Sequence, residues 1–124
     1  MILLSLFLPR IIINKENIGR FLKLVDRPHN GLTVCTGSLG SIDNDIPAII
    51  ESYHDRIHFM HIRNVKRFEN GDFIESSHRA CDGSVDIVEV VKRCINMITK
   101  VMFDLIMDVI FGRREVGKTG LWSI

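Results

Sequence analysis

From Asn14 the chain takes up a helical rhythm, because Ile18, Phe21, Leu22 and Val25 recur at the spacing of one helix face and Asn14 stands where a side chain can cap the first turn. The stretch "DRPHNG", Asp26 to Gly31, breaks that rhythm. Leu32 to Cys35 then predicts a short buried strand, and Thr36 to Ser41 a loop. Asn44 is placed to cap a helix reaching Tyr53, with Pro47 tolerated in its first turn. A second strand is expected over Arg56 to Val65, which is apolar on both faces, as a strand covered from two sides would be. Asn70-Gly71 lies between two short alternating runs and predicts a hairpin with a type I′ turn. Ser84 can cap a long helix whose apolar stripe is Ile87, Val90, Val91, Cys94 and Ile98.

Strand, helix, strand, hairpin, helix is the rhythm of an α/β protein with parallel strands. With 124 residues, 46% of them hydrophobic and 25% charged, the chain has the size and composition of one globular domain. A net charge of +1 gives no basic field for a phosphate backbone, so nucleic acid is not an expected partner. The opening "MILLSLFLPR" lacks a basic start and a small-residue cleavage site and is too short to span a bilayer; it reads as a buried strand or loop. Three cysteines with no CxxC pair argue against a disulfide framework and for a reducing compartment, the cytoplasm.

The candidate chemistry gathers where strands end. Cys35 closes the first strand, and strand parity puts Ile57, Phe59 and His61 on one face of the second with His58 and Met60 on the other. A thiolate and an imidazole on neighbouring strand ends could share a borderline divalent ion; equally, Cys35 could be a small core residue. Arg63 and Asn64 are candidate substrate contacts, and His78, after the hairpin, is a third. His58 is expected under a helix, His54 at a helix end on the surface and His29 in a turn. Cys94 belongs to an apolar stripe and Cys81 to a loop. "GSLG" could offer backbone N–H groups to a phosphate or carboxylate, although so short a glycine loop is common.

Taken together, "LPRII", "LVDRPHNGLTVCTGSLGS", "NDIPAII", "RIHFMHIRNVKR", "FIESSHRACDGSVDI" and "VVKR" resemble the mannonate dehydratase family of hexuronate catabolism over Leu8 to about Arg93. The resemblance implies part of a metal-dependent TIM barrel, an incomplete parallel sheet with flanking helices and a hairpin excursion. It implies an enzyme that removes water from D-mannonate to give 2-dehydro-3-deoxy-D-gluconate, using Mn2+ or Fe2+. Membership would make D-mannonate the small-molecule partner, without nucleic acid or membrane, and allow a homo-oligomer in full-length members. The family's metal is held by a cysteine in "CTGSLG", matched here by Cys35, and by a histidine in "HxRN", matched by His61. An earlier histidine and a later aspartate complete the set.

The earlier histidine belongs to an "HPDDPP"-like segment that does not fall within this sequence. The later aspartate and an adjacent catalytic histidine belong to an "RPDHGR" or "RSDHGR" motif, expected after the long helix, where this chain reads "NMITKVMFDLIMDVIFG". Asp104 and Asp108 do not inherit the ligand role merely by being aspartates. A reading of Lys100 to Val109 one base out of frame permits Gly-Tyr-Val-Arg-(Pro or Ser)-Asp-His-Gly-Arg, so residues 94–124 are expected to follow a frame disruption near Cys94 to Ile98. The codons for Met102 to Val109 decide that point. "GKTG" resembles the start of a further family segment, whose tyrosine is absent here. The alternatives are a non-catalytic remnant, which binds a full-length homologue or misfolds, and another metal-dependent sugar-processing barrel of the xylose isomerase type. The latter should rely on acidic ligands, whereas Cys35 points to the dehydratase.

Overall fold

The computed structural model describes the backbone of residues 4–5, 8–97 and 102–105, and the side chains of residues 10–97. Expectations placed on residues 98–101 and 106–124, including Ile98, Asp108 and "GKTG", lie outside the described residues. Two short strands, β1 (Leu4–Ser5) and β2 (Leu8–Pro9), pair antiparallel at the start of the chain. Helix α1 (Lys15–Leu24) follows, capped as its sequence predicts, with the Asn14 side chain accepting from the Asn17 amide.

The centre of the fold is a parallel sheet of β3 (Leu32–Cys35), β4 (Ile57–Ile62) and β7 (Met102–Leu105), in the order β3-β4-β7. Parallel neighbours require crossover segments, and helices supply them: α3 (Ile46–Tyr53) between β3 and β4, and α4 (Ile87–Met97) between β4 and β7. Val34, Met60 and Ile62 pack with Ile18, Ile49, Ile50, Val90 and Cys94 from the helices, so one face of the sheet is sealed. Thr33 and Cys35 on β3, and Phe59 and His61 on β4, alternate with these core residues and take the other face. Helices on one side and ends of parallel strands on the other make a segment of an α/β barrel.

Four local details differ from the sequence reading. Thr36–Gly40 is a short helix, α2, rather than a loop. Asp45, not Asn44, caps α3 by accepting from the Ala48 amide, while Asn44 spends its amide on the Ile13 and Leu39 carbonyls. Asp86, not Ser84, accepts from the Glu89 amide at the start of α4, and Ser84 accepts instead from the amide of Arg67. The long apolar run is two strands, because the ladder stops at Ile62 and restarts as β5 (Asn64–Arg67), the partner of β6 (Phe73–Ser76).

The hairpin exists where the sequence predicts it, but its turn is of another kind. Gly71 donates to the Phe68 carbonyl at 3.0 Å, Phe68 donates to the Asp72 carbonyl at 2.9 Å, and Gly71 has φ of 90°. A turn closed this way needs a left-handed residue only at its last position, which glycine takes without steric cost.

Beyond the hairpin, residues 77–85 return across β5 and are fastened in large part by one side chain. Asn64, 1% exposed, donates to the carbonyls of Ser77 (3.0 Å) and Arg79 (3.2 Å) and accepts from the Val85 amide (3.1 Å). Replacing Asn64 with Ala strands a buried amide and frees the loop, so Asn64→Ala should lower stability to urea denaturation by about 2–3 kcal/mol. A loss below about 0.5 kcal/mol would show that the loop is held by other means.

Candidate metal and substrate site

At the C-terminal ends of β3 and β4 the register sets Cys35 directly beside His61. Adjacent residues of neighbouring parallel strands project to the same face, so thiol and imidazole share one rim. Asp104 of β7 is the next Cα partner of His61 in that row. Beyond the last strand pair, the Thr36 hydroxyl replaces the ladder: it donates to the Arg63 carbonyl (2.6 Å) and accepts from the Arg63 amide (2.7 Å). Thr36 is completely buried, so these bonds have no competition from water and fix how far each strand end projects.

Cys35 is also the residue on which α2 begins. Its Sγ accepts from the Ser38 amide at 3.4 Å and from the Arg63 guanidinium at 3.6 Å. Burial would raise its pKa, but the bonds from Ser38 and then the charge and bond of Arg63 outweigh that, leaving the thiol below its ordinary 9.0. Cys94 has no such partners among the described residues, and burial pushes it up to about 11. The His61 ring is half-buried, and its Nε2 is enclosed without a hydrogen-bond partner among the described residues. An enclosed ring nitrogen without a partner among the described residues, beside a thiol whose pKa is lowered, suits a divalent cation of intermediate softness. Among the described residues no group of three or more His, Cys, Asp and Glu stands close enough to hold a metal.

The other candidates divide. Arg63 lies at the rim, its guanidinium between Cys35 and an ion pair with Glu75 on β6. It lies flat there because residue 37 is glycine: a Cβ at Gly37 would stand 3.0 Å from Arg63 Cβ and Nε. His78 is held near the end of β4, with Nε2 3.1 Å from the Ile62 carbonyl. A carbonyl can only accept, so that nitrogen carries the proton and Nδ1 is the acceptor. Asn64 is engaged by loop backbone on every side, which makes it the brace of the loop carrying His78 rather than a group turned to the rim. His58 is exposed against Gly31 and not under a helix. Sequence reasoning missed Glu75 and Thr36; "CT" beside "HIRN" was the available signal for Thr36, and nothing local marked Glu75.

With this geometry in view, comparison with known proteins is decisive. The model of the D-mannonate dehydratase family (UxuA) matches residues 3–117. The chain belongs to that family. Among curated members, mannonate dehydratase 1 of Halalkalibacterium halodurans is 59% identical over 86 residues, covering 68% of this chain and 24% of the relative. Mannonate dehydratase 1 of Bacillus licheniformis is 63% identical over the same length and with the same coverage. The crystal structure of mannonate dehydratase from Streptococcus suis serotype 2 superposes with a TM-score of 0.72 at 39% identity, over 80% of this chain and 29% of that one. This member of the family thus spans about a quarter of the length of the curated relatives it matches.

A lowered pKa in the folded chain favours the thiolate. The stability it adds is present above the pKa of the unfolded thiol and is lost as pH falls through the lower folded value. Iodoacetamide should therefore label Cys35 with a midpoint below pH 9.0, and Arg63→Gln should move that midpoint upward. Cys94 should stay unlabelled below pH of about 11 until the chain unfolds. Mass spectrometry of labelled peptides reads both sites, and a Cys35 midpoint at or above that of the unfolded chain would contradict the geometry.

Proposed function

We propose that this chain carries part of the catalytic centre of a hydro-lyase that converts D-mannonate to 2-dehydro-3-deoxy-D-gluconate in the cytoplasm. The observation that carries the reading is the placement of Cys35 against His61, with the imidazole Nε2 enclosed and without a partner. Cys35 Sγ and His61 Nε2 would hold Mn2+ or Fe2+. A cation at that rim stabilises negative charge on the carboxylate end of the substrate as the neighbouring proton departs.

The remaining residues bind and orient. The Arg63 guanidinium offers its free N–H groups to the sugar-acid carboxylate, a pairing that planar, forked donors make well. His78, fixed by the Ile62 carbonyl, presents Nδ1 as an acceptor for a substrate hydroxyl. Asn64 keeps the supporting loop in place. Free cysteines fit a reducing compartment, and among the described residues no helix is long and apolar enough to cross a membrane. Two protein ligands hold a cation far less firmly than a full set, so the isolated chain binds metal weakly and turns D-mannonate over negligibly.

Cobalt(II), whose thiolate complexes absorb in the near ultraviolet, tests the reading directly. The chain should show that absorption on titration, Cys35→Ser should abolish it, and His61→Ala should weaken binding by at least about tenfold. Absorption that is missing, or that survives Cys35→Ser, would overturn the assignment.

A further inference from the structure

Among the described residues the Glu75 carboxylate is the one acidic group paired with the rim arginine, and the pairing is lopsided. Oε1 meets the Arg63 guanidinium, whereas Oε2 is enclosed and has no partner among the described residues. Both side chains are mostly covered, Arg63 at 25% and Glu75 at 16% exposure, so the pair is a built element of the rim rather than a solvated surface contact. A buried carboxylate oxygen without a donor costs free energy unless a ligand supplies one.

Resting on the function proposed above, we infer that Glu75 is a specificity-determining residue of the site: it holds Arg63 toward the substrate carboxylate and offers Oε2 to the hydroxyl beside that carboxylate. The reasoning runs through the guanidinium. Among the described residues Arg63 donates to two groups at the rim, the Cys35 sulfur from NH1 and the Glu75 carboxylate from NH2. Once the thiolate is committed to a cation, Glu75 is the neighbour that still fixes the guanidinium plane, and the edge toward Cys35 is released for an incoming carboxylate. Without the Glu75 charge the guanidinium settles on the sulfur, where it neither faces the ligand nor leaves the thiolate free.

A sugar acid carries a carboxylate and a neighbouring hydroxyl within one short fragment, which matches an Arg donor beside a Glu acceptor. A site built for that hydrogen-bonding pair rejects a ligand that cannot complete it far more strongly than a merely apolar pocket would. Glu75 lies on β6, opposite Val65 of β5, so the hairpin is what brings the carboxylate over the strand ends.

The test is the affinity of the cobalt(II)-loaded chain for D-mannonate and for its uncharged amide, by isothermal titration calorimetry. Near-ultraviolet absorption is recorded on the same samples to show that the thiolate–cobalt contact is intact. Glu75→Gln should weaken D-mannonate by about tenfold or more and the amide, which keeps the hydroxyl but not the charge, by clearly less, and Glu75→Asp should recover part of the loss. Combining Glu75→Gln with Arg63→Ala should cost less than the sum of the two single changes, because part of what Glu75 does passes through that guanidinium. Unchanged preference for the acid over the amide in Glu75→Gln, with cobalt absorption intact, overturns the Glu75 assignment and leaves the metal reading standing. Equal weakening of both ligands also overturns it, since a packing role does not distinguish charge. Absence of cobalt absorption in the unaltered chain contradicts the metal reading and takes this inference with it.

Discussion

The hydroxyl of Thr36 is the contact on which the arrangement of this site depends. Parallel strands hold each other only as far as their ladder runs, and here the ladder ends with Cys35 and His61. By bonding both the amide and the carbonyl of Arg63, Thr36 extends the pairing past that end and turns the chain into α2 on one side and β5 on the other. Three side chains inherit their positions from it. Cys35 becomes the cap of α2, His61 is held at the same height on the next strand, and Arg63 is laid across Gly37. A hydroxyl that is completely buried and bonded in both directions has no water to exchange with, so the constraint is stiff.

The electrostatics follow from that geometry. The rim gathers a thiol with a lowered pKa, an enclosed imidazole nitrogen, a guanidinium and a carboxylate, each adjacent to a group of different kind. Such a set is expensive to assemble in a half-covered place, and folds tend to keep it where chemistry is done. The sealed face opposite, with Met60, Ile62, Val34 and Cys94, is built of apolar side chains and holds the strands in line. One sheet therefore carries a packed core on one face and these polar groups on the other, at the C-terminal strand ends where barrel enzymes place their sites.

Much of this was legible in the residues. Helices α1 and α4 carry clean 3.6-residue periodicity, and the parity of "RIHFMHI" places His61 opposite Met60 without any structure. The motifs around Cys35 and His61 gave the family and, with it, the fold. What escaped is tertiary. Two glycines, a threonine and a serine give α2 no apolar rhythm, and its helical form depends on a cysteine sulfur acting as cap. The break at Arg63 is invisible in an unbroken apolar run, because the Thr36 clamp at that point comes from the start of α2, far away in the sequence. Glu75 looks like the solvent-facing half of an alternating strand, and only the fold of the hairpin shows that it meets Arg63.

The central claim is that one sulfur and one imidazole nitrogen of this chain meet the same cation. X-ray absorption at the zinc edge of the zinc-loaded chain measures this most directly. A single sulfur at about 2.3 Å, together with nitrogen at about 2.0–2.1 Å and the outer-shell scattering of one imidazole ring, is the predicted result. A first shell of oxygen and nitrogen alone, with no sulfur, would contradict the account.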